Sequence, residues 1–202
     1  SQIVLRHLVS RWCPRVVKQA PKFVPGMQSL SAIRLKAAAD NPLKRQAKMQ
    51  TKELNIVLVG VGGQGTLLAS DILAELGLKL GLDVKKAEVH GMSQRGGSVI
   101  SHLRWAKQVF SPIIPQAEAD VLIAFEKLEA ARFISLLKPN GLALVNDYSI
   151  EPITVNTTNT RYPSNDSLKE RLGLVTSNVC WVDGIGIAEK LGNTRTANVV
   201  LL

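Results

Sequence analysis

The chain has 202 residues, is 46% hydrophobic and carries a formal net charge of +9. That length and apolar content suit one well-filled domain with an appendage and exclude global disorder. No run of about 18 uncharged apolar residues suggests a membrane helix, and the two widely separated cysteines, Cys13 and Cys180, lack the pattern of a disulfide framework, a zinc site or an iron–sulfur site.

The charge is unevenly distributed. Residues 1–53 hold eleven Lys/Arg against Asp40 and Glu53, whereas residues 54–202 hold fourteen of each sign. The basicity therefore belongs to an N-terminal extension, and the domain behind it does not read as a nucleic-acid binder. Within the extension, Leu5, Leu8, Val9 and Trp12 fall at helical spacing between Arg6, Arg11 and Arg15. Pro14, Pro21 and Pro25 interrupt any long helix, and a second helical stretch is expected from about Ser29 to Asp40. Three readings stay open: an Arg-rich organellar targeting peptide, a linker or fusion remnant, and a docking arm for an acidic partner. Two cysteines in an α/β pattern otherwise suit a reducing, cytoplasmic setting.

From Leu54 the pattern changes. Residues 54–60 form a short apolar, β-branched run that predicts a buried parallel strand. A helix is expected from about Gln64 to Leu80, with Leu68, Ile72, Leu76 and Leu80 along its apolar face and Gly81 ending it. Val84–Val89 reads as a second strand, completing a span the size of a βαβ unit. Ser98–Trp105 and Asp120–Phe125 predict two more strands. Glu126–Leu137 predicts a helix stopped by Pro139 and turned at Asn140-Gly141. Leu142–Asn146 reads as a strand, and residues 147–163 as strand and loop broken by Pro152 and Pro163. A short helix (Ser167–Leu172), a strand (Val179–Val182) and a helix (Ile185–Leu191) follow. The alternation implies an open, Rossmann-like, doubly wound α/β fold with a mostly parallel sheet. Asn193–Leu202 opens like a helix but ends on four apolar residues with no cap, so the domain is expected to continue past Leu202.

Gly60, Gly62 and Gly65 satisfy GxGxxG, with Gly63 and Gln64 inside the motif, between a predicted strand and a predicted helix. Glycine permits the tight turn and lets an anion approach backbone N–H groups at a helix N-terminus. Dinucleotide binding, binding of another phosphate or acidic ligand, and simple close packing all remain open. A nicotinamide site also wants an acid about 20 positions onward, and Glu88, 23 residues after Gly65, is the candidate.

A second loop, His90 to Ser98, follows the second strand and so lies at the same carboxyl edge. It gathers His90, Met92, Ser93, Gln94 and Arg95 among Gly91, Gly96 and Gly97. Arg95 would clamp a carboxylate or phosphate bidentately, with Ser93 and Gln94 as further donors; the alternative is a glycine-rich surface loop whose arginine pairs with a local acid. His90 is the best-placed titratable group, although a lone histidine at a strand end is more often a structural donor. Asp147 and Tyr148 follow a strand and are expected at the same edge, with turn capping by Asp147 an equal alternative. His102, within a strand, and Cys180, in an apolar strand, read as structural. No Cys/His/Asp cluster has metal spacing, so no metal site is expected.

With both loops in hand, residues 54–202 resemble the gamma domain of the pyruvate/2-ketoisovalerate ferredoxin oxidoreductases. The resemblance rests on Val59–Thr66, Leu67–Ser70 and Ala87–Gly97. The stretches Val145–Tyr148, Tyr162–Ser164 and Gly192–Leu202 are most similar to the beta subunit of the indolepyruvate type. The N-terminal 53 residues depart from the pattern, and the family continues beyond the last helix. The resemblance implies oxidative decarboxylation of 2-oxoacids, aryl pyruvates among them, to acyl-coenzyme A with ferredoxin as electron acceptor. It places thiamine diphosphate and the iron–sulfur clusters in a large partner subunit, with coenzyme A as co-substrate and no cofactor assigned to this chain alone. His90 and Arg95 would then play supporting roles in catalysis, and the two loops, Gly60–Gly65 and His90–Gly97, would contact coenzyme A phosphates or a substrate carboxylate. A free-standing NAD(P)- or FAD-binding enzyme and a non-catalytic assembly module are the alternatives.

Overall fold

Among the described residues, six strands form one mixed sheet in the order β2-β3-β1-β4-β5-β6. They are β1 (Leu54–Val61), β2 (Asp83–His90), β3 (Ser98–Ala106), β4 (Ala119–Ala124), β5 (Leu137–Asn146) and β6 (Val179–Val182). The computed structural model describes residues 53–91, 96–151 and 161–202. The expected helices of the N-terminal extension, Met92 to Arg95 of the second loop and the breaker Pro152 lie outside the described residues.

β1 is buried along its whole length. It pairs in parallel with β4, which leads on in parallel to β5 and β6. On its other side β1 meets β3, which runs antiparallel and is in turn paired antiparallel with β2. The sheet is thus mostly parallel and doubly wound, as expected, but β2 is not the neighbour of β1. The chain crosses over through helix α1 (Thr66–Lys79), builds β2 at the edge, and turns back to lay β3 in the gap. Period-2 alternation marks β3 as a strand but says nothing of its direction or partners.

One face of the sheet presents Val57, Val59, Leu122, Ala124, Ala143 and Val145 to helices α2 (Lys127–Phe133) and α3 (Asn165–Gly173), whose Ala130, Ala131, Leu168 and Leu172 complete a buried cluster. Helix α1 lies on strands β1, β2 and β3. Its contact side differs from the apolar stripe seen in the sequence. Ala69, Leu73 and Gly77 are buried, whereas Leu68, Ile72, Leu76 and Leu80 are each at least 38% exposed. The reason is steric: a Cβ on Gly77 would fall 2.8 Å from Val84 and 2.9 Å from Trp105, so the helix seats its smallest residues on the sheet. Leu73→Ala should therefore cost about 2–5 kcal/mol in urea unfolding and Leu76→Ala under about 1 kcal/mol. Equal losses would contradict this orientation.

Two further boundaries moved. The helix expected to reach Leu137 stops at Phe133, a 3₁₀ turn spans Ile134–Leu136, and β5 begins at Leu137. Pro139-Asn140-Gly141 is then an irregularity in that strand, with Asn140 at φ 61° and a register shift against β4. No strand follows β5 among the described residues up to Glu151. The last residues do find a partner: helix α4 (Gly184–Lys190) and the single turn α5 (Ala197–Val200) pack together, with Asn198 and Leu201 buried.

His102 is structural, as expected. It is buried on β3, and its Nδ1 accepts the Ile114 N–H at 3.3 Å, which fixes the neutral ring. Burial lowers its pKa. A folded-state pKa below the unfolded value means stability that is present above about pH 6.5 and lost as pH falls through the lower folded value. The urea midpoint should drop between pH 7 and 5, and His102→Gln should flatten that slope.

Candidate functional site

All the loops of interest gather at the carboxyl ends of the parallel strands, where open α/β sheets place ligands. The glycine loop, residues 62–65, links β1 to α1. Gly65 is the N-cap of α1 in the left-handed region (φ 78°), with no side-chain cap and no acidic residue in the first turn. The helix therefore presents a positive N-terminus without a carboxylate of its own. Thr66, the first helical residue, is buried, and its Oγ1 has no hydrogen-bond partner. A Cβ on Gly60 would lie 2.8 Å from that oxygen and 2.9 Å from Gln64 Oε1, so Gly60 is required for the loop to close.

Gln64 does not face solvent as a free donor. Its Oε1 accepts the Val61 N–H at 2.8 Å and its Nε2 donates to the Phe125 carbonyl at 2.9 Å. Asn146 donates to the same carbonyl at 3.2 Å and accepts the Gly184 N–H at 3.0 Å. These amides knit the ends of β1, β4, β5 and the β6–α4 turn into one polar seam. Gln64 is thus placed to shape the loop from within.

The two loops are joined to each other. Gly62 N–H donates to the Gly97 carbonyl at 2.8 Å, and Gly96 N–H donates to the Gly62 carbonyl at 3.3 Å. Gly63 sits open, with φ 103° and nothing within 4 Å of a notional Cβ. His90 is exposed, its Nδ1 lies 3.5 Å from the Gly91 carbonyl, and it meets no carboxylate among the described residues. Ser93, Gln94 and Arg95 lie outside the described residues. Glu88 is occupied: its carboxylate pairs with Lys86 at 2.6 Å and lies 3.4 Å from Ser70 Oγ on the flank of α1. With β3 between β1 and β2, Glu88 is not at the ribose position that a nicotinamide site demands.

Several residues at this edge gave no sequence signal strong enough to single them out. Glu126 is 1% exposed and accepts the N–H groups of Glu129 (2.8 Å) and Ile150 (3.2 Å) and the hydroxyl of Tyr162. Burial and that carboxylate push the Tyr162 phenol well above its ordinary range. Buried Lys127 Nζ joins Asp147 and Asn165, each at 2.9 Å. Ser98 Oγ donates to buried Glu129, which also pairs with Arg132 at 2.6 Å. Three charges directly after the apolar run Asp120–Phe125 were the available clue. Asn198 had none: its Nδ2 donates to the Gly65 carbonyl at 3.3 Å across 133 residues of sequence.

A sequence profile of the pyruvate ferredoxin/flavodoxin oxidoreductases matches residues 55–202. The chain belongs to that family. Among curated relatives in the family, indolepyruvate oxidoreductase subunit IorB of Archaeoglobus fulgidus is 45% identical over 149 residues, which is 74% of each chain. The Thermococcus kodakarensis protein of the same name is 41% identical over 155 residues, 75% of each. The fold is also that of the family's solved structures. Subunit PORC of Thermotoga maritima pyruvate oxidoreductase aligns with a TM-score of 0.53 at 20% identity, over 74% of this chain and 73% of that one. A 2-oxoglutarate:ferredoxin oxidoreductase from Magnetococcus marinus aligns with a TM-score of 0.52 at 17% identity, over 73% of this chain and 23% of that one.

Proposed function

We propose that the chain is the small subunit of an indolepyruvate-type 2-oxoacid:ferredoxin oxidoreductase, acting beside a larger partner that carries thiamine diphosphate and the iron–sulfur clusters. The observation that carries this reading is the pair of glycine loops bound to each other at one carboxyl edge, in a chain 41–45% identical to IorB subunits over that whole domain. Its own cysteines do not suit a cluster, because Cys180 is buried in β6 and Cys13 is its only companion. The partner's cofactors, when bound, supply the decarboxylation and the electron path to ferredoxin.

This chain's residues suit an anionic co-substrate. The uncapped N-terminus of α1, the open Gly63 and the unpartnered Thr66 hydroxyl fit a phosphate of coenzyme A or a substrate carboxylate. Gly60, Gly62 and Gly65 let the backbone approach it. Gly96 and Gly97 hold the second loop alongside, and Ser93, Gln94 and Arg95 supply further donors. His90 has a supporting role at the rim. Gln64 keeps the loop in shape.

Anaerobic affinity purification of the tagged chain with its associated proteins tests the assignment. A large thiamine-diphosphate and iron–sulfur subunit should co-purify, and the pair should oxidise aryl pyruvates with reduction of ferredoxin. Recovery of the chain alone, with saturable micromolar binding of NAD, NADP or FAD, would favour a free-standing nucleotide enzyme instead. In the active pair, Arg95→Ala should raise the Michaelis constant for coenzyme A or the 2-oxoacid by roughly ten- to a hundredfold, the worth of a charge-assisted contact. Unchanged constants would remove Arg95 from the site.

A further inference from the structure

We infer that Tyr148 is an aromatic platform on which a planar ring of the ligand stacks, held in place by the buried pair Glu126 and Lys127. This rests on the subunit reading above and names a ligand-contacting residue for it.

The turn after β5 is pinned residue by residue. Asp147 N–H donates to the Val182 carbonyl at 2.8 Å, and its carboxylate meets Lys127 Nζ at 2.9 Å. Tyr148 N–H donates to the Asn146 carbonyl at 2.7 Å, and its own carbonyl accepts the Lys127 N–H at 3.1 Å. Ser149 is hydrogen-bonded to the Tyr162 hydroxyl, and Ile150 N–H donates to Glu126 at 3.2 Å. The backbone on both sides of Tyr148 is therefore fixed, yet Tyr148 itself is 38% exposed, and its phenol is hydrogen-bonded to none of the described residues.

An ordinary surface tyrosine needs no such support. Here a carboxylate and an ammonium group are withdrawn from water directly behind the turn, and Glu126 has no cation in contact among the described residues. Burying ions costs several kcal/mol each before their hydrogen bonds offset it. The return is a preorganised side chain, whose ordering entropy is lost on folding rather than on binding. Position supports the assignment. The ends of β1 and β5 are two strand spacings apart, roughly 10 Å, so Tyr148 and the anion-seeking glycine loop lie on one edge within reach of a single ligand. Other aromatics near this edge are less available: Phe125 is buried, and Tyr162 and Trp181 are only partly exposed.

The partner chemistry is a planar aromatic ring. Two sources would supply it: the purine of coenzyme A and the aryl group of the 2-oxoacid. The test uses the purified two-subunit complex, comparing Michaelis constants for coenzyme A, an aryl 2-oxoacid and an aliphatic 2-oxoacid. Stacking on an aromatic side chain is worth about 1–3 kcal/mol, hence about a five- to hundredfold change. Tyr148→Leu should raise one constant by about that factor, that for coenzyme A if the purine stacks, or that for the aryl 2-oxoacid alone if the substrate does. Tyr148→Phe should stay within twofold of wild type. Lys127→Met, which leaves Tyr148 present but loosens its turn, should move the same constant in the same direction by less. An active complex in which Tyr148→Leu leaves all three constants within twofold, or raises all three equally, overturns the platform alone. A wild-type complex with no 2-oxoacid oxidation overturns the subunit reading and this inference with it.

Discussion

Gly65→Ala will destabilise the domain by about 3–4 kcal/mol, well beyond the loss at its neighbour Gly63. Two independent costs meet at Gly65. Its φ of 78° is a left-handed conformation that costs an L-residue about 1–2 kcal/mol. The added Cβ would also lie 2.3 Å from Asn198 Nδ2, a separation no packed structure tolerates. Asn198 is 5% exposed and bonded to the Gly65 carbonyl, so its displacement exposes or orphans a buried amide. Gly63 has the backbone cost without the clash, and Gly63→Ala should therefore lose only about 1–2 kcal/mol. Urea unfolding of the two variants reads the difference directly. Asn198→Ala in the Gly65→Ala background should recover part of the loss, a coupling expected only of residues in contact. Equal losses at Gly63 and Gly65 would remove Asn198 from the loop.

Glu126→Ala will cost about 2–5 kcal/mol, the sum for neutral donors that lose a buried acceptor at about 1–3 kcal/mol each. Three donors from three parts of the chain converge on that carboxylate: the first turn of α2, the turn after β5, and Tyr162 ahead of α3. Alanine leaves the Glu129 and Ile150 N–H groups without their acceptor and the Tyr162 hydroxyl with Ser149 but without the carboxylate. Glu126→Gln keeps the shape but turns one acceptor into a donor, and about 1–3 kcal/mol is expected. Amide exchange at Ile150 should accelerate more than exchange in the central strand β1. Uniform acceleration would mean that Glu126 supports the whole fold and has no particular hold on this turn.

The two variants also separate what could be read from sequence from what could not. The strand β1, helix α1 and the glycine motif between them were legible, because an apolar β-branched run, a helical period and three glycines are all local signals. The direction of β3 was not, since alternation is the same in either direction. The contact side of α1 was misread for a related reason. Leucines dominate the apolar stripe, but close helix–sheet approach favoured Ala69 and Gly77, and the larger Leu68, Ile72 and Leu76 were left outside. The early end of α2 followed from Leu137, an apolar residue equally at home in a helix or at the start of a bulged strand. In the site, the glycines and His90 were visible as types in a pattern. Glu126 and Asn198 were not, because their importance lies in bonds spanning 24 to 133 residues of sequence.

The return of β3 beside β1 has a consequence for how such a fold diversifies. It makes the second loop a hairpin connection, closed at its base by the Gly91 N–H and the Ser98 carbonyl at 3.3 Å. A crossover such as α1 must span the sheet and cannot change length freely, but a hairpin tip can. Each doubling of a flexible loop adds only about 0.6 kcal/mol of closure entropy. Insertions between Gly91 and Gly96 would therefore leave the pairing of β2 with β3 and the shape of the glycine loop in place. That interval is the natural place to graft a new specificity onto this scaffold.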